Sequence, residues 1–124
     1  MPVNVAFDST TGIHTLTTEG DPSVEAITEA VTSVYASATP DRPFRMLWDL
    51  HGVVDSMSTA ELVRLVGWVR ENRPAAGGRT AVVARADVQF GVSRQAQAFA
   101  EGWGDDMGVF RSYGDAVAWL TEVR

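Results

Sequence analysis

Beyond residue 20 the chain alternates short apolar runs with longer segments whose apolar residues recur at helical spacing. That alternation constrains the fold more than any other feature. Phe44 to Leu50 is a strand candidate with Phe44, Met46 and Trp48 on one face. Thr80 to Ala84 is a continuous apolar run, which suits a strand covered on both faces as in parallel sheets. Val109 to Arg111 reads as a short last strand. Asp21 as N-cap and Pro22 at the first helical position are expected to open a helix with the stripe Val24, Ile27, Val31, Val34, Tyr35 and Ala38, stopped by Pro40 and Pro43. Ser58 and Glu61 form an S-x-x-E capping box ahead of the stripe Leu62, Leu65, Val66 and Val69, which ends before Pro74. Asp87 is the expected cap of a third helix carrying Val92, Ala96, Phe99 and Trp103, and Ser112 with Asp115 caps a last one with Val117, Leu120 and Val123 inward.

The first twenty residues read as a hairpin. Val3, Val5 and Phe7 alternate with small or polar residues as in a half-buried strand, Asp8 to Gly12 supplies a turn, and Ile13 to Thr18 is rich in β-branched residues. The order is then ββαβαβαβα. Strands separated by helices of ten or more residues imply right-handed crossovers. The expected fold is a single α/β domain over 1–124: a mostly parallel five-stranded sheet with an antiparallel edge strand and four helices. Gly102, Gly104 and Gly108 are expected to bracket an acidic turn at Asp105 and Asp106.

Composition removes several function classes. With 45% apolar and 21% charged residues, wholesale disorder is excluded. A net charge of −6 argues against nucleic acid and anionic membrane surfaces, which need a basic face. There is no cysteine, hence no disulfide, thiolate nucleophile or usual structural zinc. All ten basic residues are Arg, so Schiff-base and P-loop lysine chemistry are excluded. The opening MPVNVAF lacks a charged segment followed by a long apolar one, and no apolar run approaches membrane-spanning length. Cytoplasmic residence is the expectation.

The segment FRMLWDLHGVVDSMSTAELVRL is similar to the strand-loop-helix of STAS-type, SpoIIAA-like domains, which carries D-L-S-G and then D-S-S-G-L. The resemblance covers nearly the whole chain, from the opening hairpin to the C-terminal helix. It implies a SpoIIAA-like fold. In the anti-sigma-factor antagonists of that family the second Ser of D-S-S-G is phosphorylated. Here that position is Met57, between Ser56 and Ser58, and the Gly is replaced. GGRTAVVARADVQFGVSRQAQAFAE, followed by VFRSYGDAVAWL, resembles more closely the uncharacterised branch grouped with lipid-binding SEC14-like domains.

In open α/β sheets ligands bind at the carboxyl ends of the strands, where loops and helix N-termini converge. That rule gathers Asp49, His51, Asp55, Ser56 and Ser58 after the third strand, Arg85 and Asp87 after the fourth, and Arg111 and Ser112 after the fifth. Three readings are open. The first is a non-enzymatic binding domain, expected as a homodimer, using the helix faces near Trp68 and Phe99, or a pocket between them, for a partner protein or a small apolar molecule. Trp68 falls one position off its helix's apolar stripe, at a margin where tryptophan serves interfaces. The second is an anti-sigma-factor-antagonist-like phosphoswitch at Ser56 or Ser58 acting with a kinase. The third is a small hydrolase using His51 with Asp49 or Asp55, although no G-x-S-x-G elbow is present. Each residue also has a plainer structural role: Asp49 bonding loop amides, Ser58 capping a helix, Trp68 packing. No cofactor is implied. A metal site is not expected either, because His14 and His51 lie on different strands and begin no ligand motif.

Overall fold

The computed structural model describes residues 3–20, 23–39, 41–53, 58–74, 77–84 and 106–122, together with 87, 91, 94, 97 and 98. Strand β1 (Val3–Asp8) turns back into β2 (Ile13–Gly20) through a tight loop. Asp8 holds that loop with both its oxygen types: Oδ1 accepts from Thr10 N at 2.8 Å and the main-chain carbonyl accepts from Gly12 N at 2.8 Å. This is the Asx-turn chemistry that favours Asp at such a site. Helix α1 (Val24–Tyr35), β3 (Phe44–Val53), α2 (Thr59–Asn72), β4 (Gly78–Val83), β5 (Asp106–Phe110) and α3 (Tyr113–Leu120) complete the order. The sheet runs β1-β2-β3-β4-β5, with β1 antiparallel to β2 and every other pair parallel.

Consecutive parallel strands side by side, joined by crossovers of one hand, place successive helices on one face. Accordingly, α1 and α2 pack together over Val3, Leu16, Phe44 and Met46. The opposite face is closed by α3, whose Ala116 and Leu120 pack on Ile13, Leu47, Ala81 and Val83. Strands β3 and β4 are therefore buried on both sides, which is why they read as nearly continuous apolar runs. Leu16, Ile27, Leu47 and Leu120 are wholly buried. Each such side chain stabilises the fold by about 1.5–3 kcal/mol relative to exposure. Arg79 ties down the end of α3: its Nη1 donates to the carbonyls of Trp119 (2.6 Å) and Glu122 (3.2 Å), and the guanidinium lies over the Trp119 ring. A cation there answers the negative end of the helix dipole.

Several expectations are corrected. The N-cap of α1 is Ser23, not Asp21; its hydroxyl accepts from Ala26 N at 3.1 Å while its backbone stays extended. Val24, Ile27, Val31, Val34 and Tyr35 are buried as expected, but the helix ends at Tyr35, so Ala38 lies beyond it and is half-buried. Strand β3 runs three residues past Leu50, to Val53. Strand β5 covers Asp106–Phe110, so Asp106 and Gly108 are strand residues and Arg111 lies just beyond. Gly108 is needed for packing: a Cβ there would sit 2.7 Å from the Phe110 ring. On α3, Ala116 and Leu120 are buried and Val117 is half-buried, while Val123 lies outside the described residues. The capping box of α2 forms as expected, and Ser112 caps α3 by accepting from Asp115 N. Three helices are described in full. Of the helix expected between β4 and β5, positions 87, 91, 94, 97 and 98 have helical backbone, so Asp87 is within it and is not its cap; Val92, Ala96, Phe99 and Trp103 lie outside the described residues. On β1 only Val3 is buried; Val5 and Phe7 are exposed rather than half-buried.

Candidate functional site

The register aligns the carboxyl ends of the parallel strands. Thr17 faces Asp49, Asp49 faces Val83, and Val83 faces Phe110, so these four form one row across the sheet. The residues immediately beyond this row lie on one rim. Thr18, wholly buried, donates from Oγ1 to the Asp49 carbonyl at 3.2 Å and fixes β2 to β3 at that level. Just beyond, the ladder slips: Thr17 pairs with Asp49 but Glu19 pairs with Gly52, so β3 contributes one extra residue over Leu50 and His51. A bulge bends the strand and re-aims its side chains. It falls over Leu50 and His51, where the strand was expected to end at Leu50.

On the far side of the rim, Ala84 N donates to the Phe110 carbonyl at 2.9 Å, continuing the β4–β5 pairing past the end of β4. Asp87 and Arg111 are thereby brought together, Nη1 to Oδ1 at 2.9 Å. Their side chains are 95% and 48% exposed. Ser112 next to them caps α3 by accepting from Asp115 N at 3.1 Å. After β3, Ser58 accepts from Glu61 N, and Ser58 N donates to Glu61 Oε1, both at 3.2 Å.

The expected site residues thus divide. Asp49, Asp87 and Arg111 lie on the common rim, and Ser58 opens the helix that leaves it. His51 is placed on the bulged strand. Asp55, Ser56, Arg85 and Phe99 lie outside the described residues. Trp68 belongs elsewhere: it is half-buried, stacks flat on Tyr35 (centroids 6.1 Å, planes 9° apart) and packs against the α1–α2 core. Tyr35 in turn meets Phe44 at 5.1 Å. The off-stripe position of Trp68 therefore reflects packing between two helices, which a single-helix projection does not display.

A second cluster escaped sequence reasoning. Phe7 lies directly across the hairpin from His14, with ring centroids 4.6 Å apart, and Ser37 Oγ lies 3.4 Å from His14 Nε2. Nδ1 of His14 is buried without a hydrogen-bond partner, and burial lowers the His14 pKa below its ordinary value of 6.5. The signal was available in the placement of Phe7 and His14 on either side of the turn. The indole nitrogen of Trp48 is likewise buried and unpartnered. Among the described residues no three His, Asp or Glu side chains gather closely enough to hold a metal ion. No described helix is long and apolar enough to cross a membrane.

The sheet order, the antiparallel first strand and the helices on both faces can be set against solved structures. One similar structure is an uncharacterised protein of the DUF3478 family from Shewanella loihica PV-4, with a SpoIIAA-like fold. It superposes with a TM-score of 0.63 and 18% identity, over 95% of this chain and 91% of that one. The fold is SpoIIAA-like. The resemblance read from FRMLWDLHGVVDSMSTAELVRL therefore holds at the level of fold. The sequence matches no protein-family model and no curated protein.

Proposed function

We propose that this SpoIIAA-like domain is a binding module without a catalytic step, and that it recognises a protein partner at the strand-end rim. The observation that carries this reading is the Asp87–Arg111 pair, which joins the segment after β4 to the end of β5 while remaining open to water. An exposed pair of this kind contributes about 0–1 kcal/mol to folding, so fold stability alone gives little reason for it. Arg111 then offers a planar, two-pronged donor to a partner carboxylate, which fixes orientation as well as attraction.

The phosphoswitch reading has less support at Ser58. Both its hydroxyl and its amide are engaged with Glu61, and a phosphate there would have to displace that carboxylate. Affinity capture from the source cells, comparing the unaltered protein with Arg111→Glu and Phe7→Glu by quantitative mass spectrometry, tests the proposal. It expects a protein enriched by the unaltered chain and by Phe7→Glu but lost with Arg111→Glu. Equal capture by Arg111→Glu, or no enrichment at all, overturns it. A partner that binds only when Ser56 or Ser58 carries phosphate would establish the switch instead.

A further inference from the structure

Among the described residues, strand β1 is an edge with no strand beyond it in the sheet. Natural edge strands are usually blunted by charge, proline, a bulge or a covering segment. Val3–Asp8 pairs with β2 without a register break, and its one charge, Asp8, is at the end of the strand. Asn4 to Asp8 are all exposed, and Phe7 (58%) and Val5 (42%) stand among the large apolar residues most open to water. The free main-chain groups can be identified. Because the Asp8 carbonyl turns into the hairpin to accept from Gly12 N, alternation turns the N–H and C=O of Val5 and Phe7 outward.

We propose that a second copy of this chain pairs antiparallel with β1, with Val5 of one protomer opposite the partner's Phe7. The register is set by the side chains. It puts each exposed apolar residue against the other and brings Ala6 to Ala6 on the two-fold axis. That axial pair is the closer, non-hydrogen-bonded kind, where small residues fit. It also places Asn4 opposite the partner's Asp8. One carboxylate oxygen of Asp8 is held by Thr10 N, and the other can accept from the Asn4 amide. Centring the pair on Val5 leaves Asp8 opposite no strand residue, and centring it on Phe7 sets Asp8 against Ala6. The chosen register alone gives the carboxylate a donor. Two such edges make one sheet of ten strands, with four main-chain hydrogen bonds from the two Val5–Phe7 pairs. This interface is separate from the Arg111 rim.

The chain contains no cysteine, so single cysteines report the register directly. Antiparallel residues of a non-hydrogen-bonded pair have Cα atoms about 4.5 Å apart, within the roughly 4.4–6.8 Å a disulfide spans. Ala6→Cys is expected to cross-link several-fold more than Val5→Cys or Phe7→Cys under mild oxidation. The unaltered protein should have twice the chain mass by light scattering and fall to monomer on dilution. Phe7→Glu should be monomeric with an unchanged circular dichroism spectrum. Val5→Lys combined with Phe7→Glu should restore the dimer, since Lys then faces Glu twice. Arg111→Glu should leave the dimer intact. A monomer at every concentration, cross-linking that peaks at residue 5 or 7, or failure of the charge-swapped chain to pair overturns the proposal. So does a monomer whose Phe7→Glu form loses a different protein, which would assign the edge to that protein.

Discussion

The two edges of this sheet are built differently. At β5, residues 107–110 are half-buried, the Gln97 side-chain amide donates to the Met107 carbonyl at 2.7 Å, and Trp119 of α3 packs against Phe110. At β1 every residue after Val3 is exposed and main-chain groups face outward. Both strands present the same obligatory donors and acceptors. At β5 one of them, the Met107 carbonyl, is met within the chain, and β1 leaves those of Val5 and Phe7 for a second molecule. Where a small domain leaves main-chain capacity open beside exposed apolar side chains, that capacity is a reason to look for an interface.

The largest effect is expected from removing what closes the β5 side. Leu120→Ala deletes a wholly buried side chain of α3 and should cost about 2–5 kcal/mol in urea unfolding. Association through β1 should persist where the variant is folded. A similar loss of association would show that the two edges are not independent. Next is Gln97→Ala, which leaves the Met107 carbonyl without its side-chain donor. The expected cost is about 1 kcal/mol, read as a shift of the urea midpoint, with the dimer unchanged in sedimentation.

The smallest effect concerns His14, under the exposed Phe7. Burial holds its pKa below 6.5, so the unfolded chain binds a proton there before the folded one does. The stability tied to neutral His14 is therefore present above about pH 6.5 and lost as pH falls from 6.5 through the lower folded value. Urea midpoints should decline across that window in the unaltered protein and decline less in His14→Gln. Identical slopes would remove His14 from the pH dependence.

Much of the architecture was legible because apolar periodicity and capping are local. Ser58 with Glu61 and Ser112 with Asp115 formed as their spacing implied, and the α1 stripe was buried residue for residue from Val24 to Tyr35. What failed was decided at longer range or between adjacent candidates. Asp21 and Ser23 are both competent caps, and only backbone placement selects Ser23. Gly108 resembled turn punctuation, but the Phe110 ring that requires it becomes its neighbour only in the folded strand. The extension of β3 through His51 depends on pairing with Glu19 and Gly20, and a pattern along β3 alone does not contain that information. Val5 and Phe7 alternate as a half-buried strand should, yet they lie on an edge that α1 leaves largely open. The rim was legible as a topological rule, and its Asp87–Arg111 contact supplied the detail.

The most direct measurement is residue-resolved amide exchange of the unaltered protein across a dilution series. Asn4, Ala6 and Asp8 donate within the hairpin, and their exchange should not depend on concentration beyond global stability. The Val5 and Phe7 amides should be slow when the protein is concentrated and fast when dilute, and fast throughout in Phe7→Glu. If Val5 and Phe7 exchange quickly at every concentration, the β1 edge does not pair with a second copy, and the contrast between the two edges has no functional meaning.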